Sequence, residues 1–388
     1  MSVTFAQGFS AAGVAAGISA VEGKKDLALV VNNGPLDAAA GVFTSNRFCA
    51  APVQWSRNIV SDGHVKAVIL NSGGANACTG KPGYEQSKAT AEKVASLIGA
   101  KAEDVAVCST GLIGELLPLD NVLSGADKAF ETLADTAEAG ADASHAIMTT
   151  DTKPKTVELE GPTASVSVAW SRFRHDRPAA GHHAVRHHHR CVVTAGQLQA
   201  ALTPESKCRS TASTWTAACP PTTPCCCWLP RVRHRTGTGR VQRARGQATA
   251  SLARQIIGDG EGASHDIRVK VTGATTEEAA LACGRAVAAS NLLKCAISGN
   301  DPNWGRIVSS LGTVPSDVAP YDSEKVTVDV NGVRICENGG AGRDRSEVDM
   351  TPREVHIDID LNAGEAEATV WTDDLTHEYV HINADYES

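Results

Sequence analysis

The sequence predicts two stretches of mixed strand-and-helix protein separated by a middle that fits neither. Three observations carry this: short apolar runs ending in turn residues up to about Val168, the return of the same character from about Ala250, and an abrupt change of composition between Ser171 and Ala248. With 388 residues there is room for two domains, or for one large domain with a divided core. Apolar residues at 42% and charged residues at 21% are ordinary for a globular protein. A formal charge of −8 argues against nucleic acid as a partner. The stretch from Met1 to Phe9 has no basic segment leading into an apolar core, and no apolar run approaches the roughly 20 residues a bilayer requires. No membrane association is expected, and the cytoplasm is the expected location.

Taken in order, Leu27–Val31 and Lys66–Asn71 read as buried strands, because they are continuous apolar runs closed by turn residues. Between Tyr84 and Ile98, the residues Ala91, Val94, Ala95 and Ile98 recur at helical spacing. Asp104–Cys108 is a further strand running into Ser109-Thr-Gly-Leu112. Past Ala250, Thr275-Thr-Glu-Glu278 reads as a capping box ahead of an Ala-rich helix through Ser290. Val326–Val330 and Val333–Cys336 flank Asn331-Gly332, the strongest short hairpin signal. Glu354–Leu361 alternates and Ala368–Trp371 follows a turn, which predicts a two-stranded ending.

The middle behaves differently. Ser171–Ala248 holds 12 Arg and one Lys against two acids, while the rest carries 23 basic and 42 acidic residues. Seven of the 13 histidines and six of the 12 cysteines fall there, three of the cysteines consecutive. No periodicity is visible except over Val192–Leu202, which reads as a normal helix start. A patternless stretch of this length inside a compact domain argues against taking it at face value.

Several flanking peptides occur in a fixed order: Asn71-Ser-Gly-Gly-Ala-Asn-Ala-Cys-Thr-Gly80, Cys108-Ser-Thr-Gly-Leu-Ile-Gly-Glu115, Ala146-Ile-Met-Thr-Thr-Asp-Thr152, Gly260-Glu-Gly262, Lys294-Cys-Ala-Ile-Ser-Gly-Asn-Asp-Pro-Asn-Trp-Gly-Arg306 and Asn383-Ala-Asp-Tyr-Glu-Ser388. Together, over about four-fifths of the chain, they resemble the ornithine acetyltransferases, or glutamate N-acetyltransferases. That family also has a Lys-Gly-x-Gly-Met stretch and an Ala-Thr-Met-Leu peptide, and neither is present here.

The genetic code supplies a reason. Gly181-His-His-Ala-Val185 can be encoded so that reading one base later gives Ala-Thr-Met-Leu. Arg186-His-His-His-Arg-Cys191, shifted alike, can give Val-Ile-Thr-Thr-Asp-Ala. Pro221–Leu229, shifted by two bases, can give Thr-Asn-Asp-Thr-Val-Leu-Leu-Leu-Ala. We therefore read about 169–249 as out of frame, except about 192–204, with the family's threonine expected near His182-His183.

The resemblance implies an α+β fold, a layered α-β-β-α sandwich of the self-processing N-terminal-nucleophile type. It is divided near residue 182 into an alpha-chain-like part (1–182) and a beta-chain-like part (183–388), assembled as a heterotetramer of two alpha and two beta chains. A threonine hydroxyl needs a base, and cleavage before the threonine makes its own α-amine that base. The implied reaction moves acetyl from N-acetylornithine to glutamate, without metal or nucleotide cofactor; use of acetyl-CoA as a co-substrate is left open.

By the same resemblance, Thr110 and Gly111 form the oxyanion pair through a hydroxyl and a backbone N–H. Thr149, Glu261, Asn383 and Ser388 hold substrate. Read from their own surroundings, the same residues have blander explanations. Thr110-Gly111 is a tight turn after a strand, Thr149 a helix N-cap, Glu261 a solvated loop charge, and Asn383 and Ser388 part of a frayed tail.

The cluster of His182, His183, His187, His188, His189 and Cys191 has the side chains of a zinc site. Its ligands are nearly contiguous and lie where no core pattern exists, so metal binding is not expected. The arginines from Arg231 to Arg245 lack interleaved aromatics, and a shifted GC-rich gene yields arginine in abundance, so RNA is not expected either. Two further alternatives are a non-catalytic relative, if the middle is real, and a self-processing aminopeptidase-like amidohydrolase.

Overall fold

The structure is a computed structural model. It describes the chain except residues 1–2, 6, 36, 45, 162–163, 171–224, 229–250 and 385–388. The first part runs β1 (Phe9–Val14), β2 (Leu27–Asn32), β3 (Ala39–Val42), α1 (Ala51–Val60), β4 (Ala67–Gly74), α2 (Gly80–Ile98), β5 (Val105–Leu112), α3 (Leu119–Glu131) and α4 (Ala137–Ala146).

Four of these strands form one sheet in the order β1-β2-β4-β5, with only β4 and β5 parallel. All six residues of β2 are buried, which its unbroken apolar run requires of a strand covered on both faces. Ala91, Val94 and Ala95 of α2 enter the same core as Leu29, Ile69 and Val107. Each fully buried Val, Leu or Ile contributes about 1.5–3 kcal/mol. Gly99, at φ +66°, ends α2 in the left-handed conformation that glycine adopts most cheaply.

The outer edge of β5 is closed by side chains of α1. Trp55 Nε1 donates to the Val105 carbonyl at 2.9 Å, and Ser56 Oγ donates to the Val107 carbonyl at 2.7 Å while accepting the Val107 N–H at 3.0 Å. Backbone groups that a neighbouring strand would otherwise pair are thus satisfied.

The second part contains β6 (Lys155–Gly161), β7 (Ala164–Trp170), β8 (Cys225–Trp228), helical residues 251–257 (α5), β9 (Asp266–Ala274), α6 (Glu277–Ala288), α7 (Asn291–Ser298) and α8 (Trp304–Leu311). It continues with β10 (Thr327–Val330), β11 (Val333–Glu337), β12 (Gly340–Ala341), β13 (Glu354–Asp360), β14 (Ala366–Asp373) and α9 (His377–Ala384). Its main sheet has the order β12-β11-β10-β13-β9-β14. β13 and β9 alternate buried with half-buried residues, so this sheet directs one face into a second core with Ala279, Ala280, Cys283 and Val287 of α6.

Asn331 (φ +47°) and Gly332 (φ +81°) make the hairpin turn as expected, both in the left-handed region that this turn needs. No single helix among the described residues is long and apolar enough to cross a membrane.

Several expectations change. Thr276, not Thr275, caps α6 by accepting the Ala279 N–H, and the helix stops at Ala288; Ser290 then caps α7. The two-stranded ending is not a pair, because β9 lies between β13 and β14, parallel to the first and antiparallel to the second. β9 itself is legible as Ile267, Val269 and Val271 at period two, a pattern the expectation passed over. Cys225–Trp228 pairs with β3 inside the stretch expected to lack strands. Ladder bonds are backbone bonds, and this tetrapeptide stays strand-compatible in either frame. The helix expected at Val192–Leu202 lies outside the described residues.

Candidate functional site

The parallel strands β4 and β5 end together in Asn71-Ser-Gly-Gly74 and Ser109-Thr-Gly-Leu112, with Ser72 beside Thr110 and Gly73 beside Gly111. The ladder shifts register at Gly73–Gly74, so β4 bulges at this point. Gly111 has φ +125°, and a Cβ there would lie 2.4 Å from the Gly73 carbonyl carbon and 2.6 Å from the Gly74 nitrogen. Gly73 has φ +114° and a Cβ on it would meet Ser19 N at 2.8 Å. Neither position tolerates a side chain.

Asn71 Nδ2 donates to the Gly74 carbonyl at 2.9 Å, and Ala75 N–H donates to the Leu112 carbonyl at 2.8 Å, which fixes the bulge. Thr110 and Gly111 therefore belong to β5 itself, not to a turn beyond it. Thr110 is buried.

A second group lies after α4. Ser72 Oγ donates to the Ala146 carbonyl at 2.9 Å, tying the β4 end to the C-terminus of that helix. Thr149 follows α4 and does not cap a helix. Its backbone N–H donates to Asp151 Oδ2 at 3.1 Å. Lys155 Nζ donates to Asp151 Oδ1 and to Asp259 Oδ2, and all three side chains are buried. Thr152 donates to Asp259 through its N–H at 3.1 Å and through its hydroxyl. Burial alone would raise the Asp259 carboxyl, but the hydrogen bonds from Lys155 and Thr152 outweigh it and hold that carboxyl below its ordinary value.

Two residues beyond Asp259, Glu261 is 6% exposed, so it is not a solvated loop charge. Gly260 packs under it, where a Cβ would lie 2.4 Å from Asp373 Oδ2, and Gly262 (φ +65°) packs against Glu378 of α9. Thr376 Oγ1 donates to the Gly262 carbonyl at 2.7 Å and accepts the Tyr379 N–H at 3.0 Å, docking α9 on this loop. Asn383 Nδ2 donates to Glu261 Oε2 at 2.7 Å. The tail through Ala384 is thus helical and attached, not frayed. Glu261 Oε1 is buried and has no hydrogen-bond partner among the described residues. A buried carboxylate oxygen in that condition is costly unless a donor arrives from outside.

Supporting charges surround the loop. Lys294 Nζ pairs with Asp373 Oδ1 at 3.3 Å, both buried. His265 places Nδ1 2.9 Å from Asp374 Oδ2 and Nε2 3.2 Å from the Met350 carbonyl. Asn303 caps α8 by accepting the Arg306 N–H at 3.1 Å, which accounts for part of the Asn-Asp-Pro-Asn-Trp-Gly-Arg string.

Of the residues expected at the site, Glu261 and Asn383 meet directly, and Thr149 joins them through Asp151, Lys155 and Asp259. Thr110 and Gly111 connect to the Thr149 segment through Ser72 and Ala146. Ser388, the histidine cluster, the arginine run and the position expected for a threonine near His182-His183 lie outside the described residues. Sequence reasoning missed Lys155 and Asp259. The available signals were an Asp151-x-x-x-Lys155 spacing and an acid among three glycines, Gly258-Asp-Gly-Glu-Gly262.

A family model described as "ArgJ family" matches residues 10–170 and 218–388. The chain belongs to the ArgJ family. "Arginine biosynthesis bifunctional protein ArgJ" of Bifidobacterium longum is 71% identical over 415 aligned residues, covering 100% of each chain. The protein of the same name from Streptomyces coelicolor is 45% identical over 398, again with 100% of each chain covered. Among solved structures, the ornithine acetyltransferase of Mycobacterium tuberculosis complexed with ornithine is 48% identical, with a TM-score of 0.45. That match covers 46% of this chain and 95% of the other. The ArgJ family match stops at 170, where the composition changes, and resumes at 218, before the expected boundary near 249.

Proposed function

We propose that this ArgJ-family protein transfers the acetyl group of N-acetylornithine to glutamate through an acyl-threonine, and that the threonine is restored when the central segment is read in frame. The family membership and the full-length likeness to bifunctional ArgJ proteins support the activity. The observation that carries the site assignment is Glu261, whose buried Oε1 calls for an incoming donor such as the free ammonium of an ornithine side chain.

In this scheme the chain cleaves itself before the restored threonine, and the new α-amine takes the hydroxyl proton. The hydroxyl oxygen attacks the acetyl carbonyl. Thr110 and the Gly111 N–H stabilise the oxyanion, the carbon–nitrogen bond breaks, and ornithine leaves with the proton. Glutamate's amine then attacks the acyl ester and regenerates the hydroxyl. Thr149, Asn383 and Ser388 orient the substrate. The scheme uses neither metal nor nucleotide. The layered sandwich divided near residue 182 and the assembly of two alpha and two beta chains belong to this reading.

Resequencing codons 168 to 250 tests the frame. Purified in-frame protein should run as two chains on a denaturing gel and transfer acetyl from N-acetylornithine to glutamate; one intact, inactive chain supports a non-catalytic relative. Amide hydrolysis without transfer would support the amidohydrolase alternative, and a parallel assay with acetyl-CoA and glutamate reads the second acyl donor. Glu261→Gln should raise the KM for N-acetylornithine by about 10- to 100-fold, the range for losing a charge-assisted hydrogen bond.

A further inference from the structure

The buried ionic group at Lys155 has no place in the chemistry above, and its connections are specific. Asp151 and Asp259 sit 108 positions apart in sequence, and one ammonium touches both. Asp151 also accepts the Thr149 N–H, and Asp259 is two residues before Glu261. Two aspartates and one lysine leave an extra negative charge in a buried place, which is unfavourable unless further donors are supplied. The Thr149 and Thr152 N–H groups and the Thr152 hydroxyl supply them. Every member of the group thus bonds to a segment that carries a substrate residue or to the turn leading into it.

We propose that Lys155 is the positioning residue of the substrate site, clamping Asp151 to Asp259 so that Thr149 and Glu261 stand at a fixed separation set for the substrate. The proposal rests on the acetyl-transfer reading, because it is that reading which makes Thr149 and Glu261 substrate residues. Lys155 lies before the expected division near residue 182 and Asp259 after it, so in the cleaved protein the clamp spans the two chains. Lys155 touches no reacting atom. Its removal acts on ground-state binding through Glu261, which raises KM and leaves kcat nearly unchanged.

The test uses full-length in-frame protein and steady-state transfer from N-acetylornithine to glutamate. Lys155→Met, which keeps the chain length and removes the charge, should raise the KM for N-acetylornithine by about 10- to 100-fold with kcat almost unaltered. Asp259→Asn keeps the shape of the turn and reads the same coupling if Lys155→Met fails to fold. In the double variant the two losses should be markedly less than additive, as for residues in one network.

A lowered melting temperature with unchanged KM, or independent losses in the double variant, overturns the proposal while leaving the acetyltransferase intact. Unmodified protein that neither transfers acetyl nor binds ornithine overturns both readings together.

Discussion

Around Gly111 no charged side chain occurs in 71–78 or 108–112, whereas the loop of Glu261 is held by Lys155, Asp151, Asp259, Lys294 and Asp373. The first region is shaped by backbone contact: a Cβ on Gly111 would strike the Gly73–Gly74 backbone, and one on Gly73 the backbone of Ile18 and Ser19. The second is shaped by ion pairs removed from water. The difference teaches that the proposed site combines a steric frame of backbone contacts with an electrostatic frame of buried ion pairs.

The sharpest way to test the contrast is to remove one buried charge from the second region. Lys294→Met removes the buried ammonium that pairs with Asp373 and should cost about 3–5 kcal/mol of stability, read by denaturant unfolding. A loss within experimental error would mean that the electrostatic frame is not what holds the loop.

Next comes the steric frame. Gly111→Ala forces a side chain onto the Gly73 backbone and displaces the N–H proposed to serve the oxyanion. The expected result is a fall in kcat of about 10²–10³, or 3–4 kcal/mol of transition-state stabilisation, with KM little changed. A change confined to KM would place Gly111 in binding instead.

The smallest effect concerns acid. The Asp259 carboxyl is held below its ordinary value in the folded chain, so its contribution to stability is complete above the unfolded value near about 4. That contribution is lost as pH falls through the folded value. Acid unfolding curves of the unmodified protein and Asp259→Asn should therefore differ by a constant amount at neutral pH and converge below about pH 4. Gly111→Ala should show no such convergence, since glycine and alanine do not titrate.

Much of the first sheet was legible because local pattern and burial agree. Leu27–Val31 is apolar at every position, and the strand is buried at every position. The hairpin at Asn331-Gly332 was legible because only a few residue pairs accept two left-handed conformations in succession. β9 was legible in principle, but its pairing with both β13 and β14 is set by long-range contacts that neither terminal strand displays. Glu261 looked like a solvent charge because its partner Asn383 in α9 comes 122 residues later in the chain. Lys155 escaped for the same reason, since a lysine four residues after an aspartate is ordinarily a surface pair. Charges buried by distant partners are where reading from sequence is weakest.

Helix α1 has one more effect on strand β5. By meeting Val105 and Val107 with an indole and a hydroxyl, it occupies the margin where another molecule's strand would otherwise join. The strand that carries Thr110 and Gly111 is therefore shielded from edge-to-edge polymerisation along the margin at Val105 and Val107.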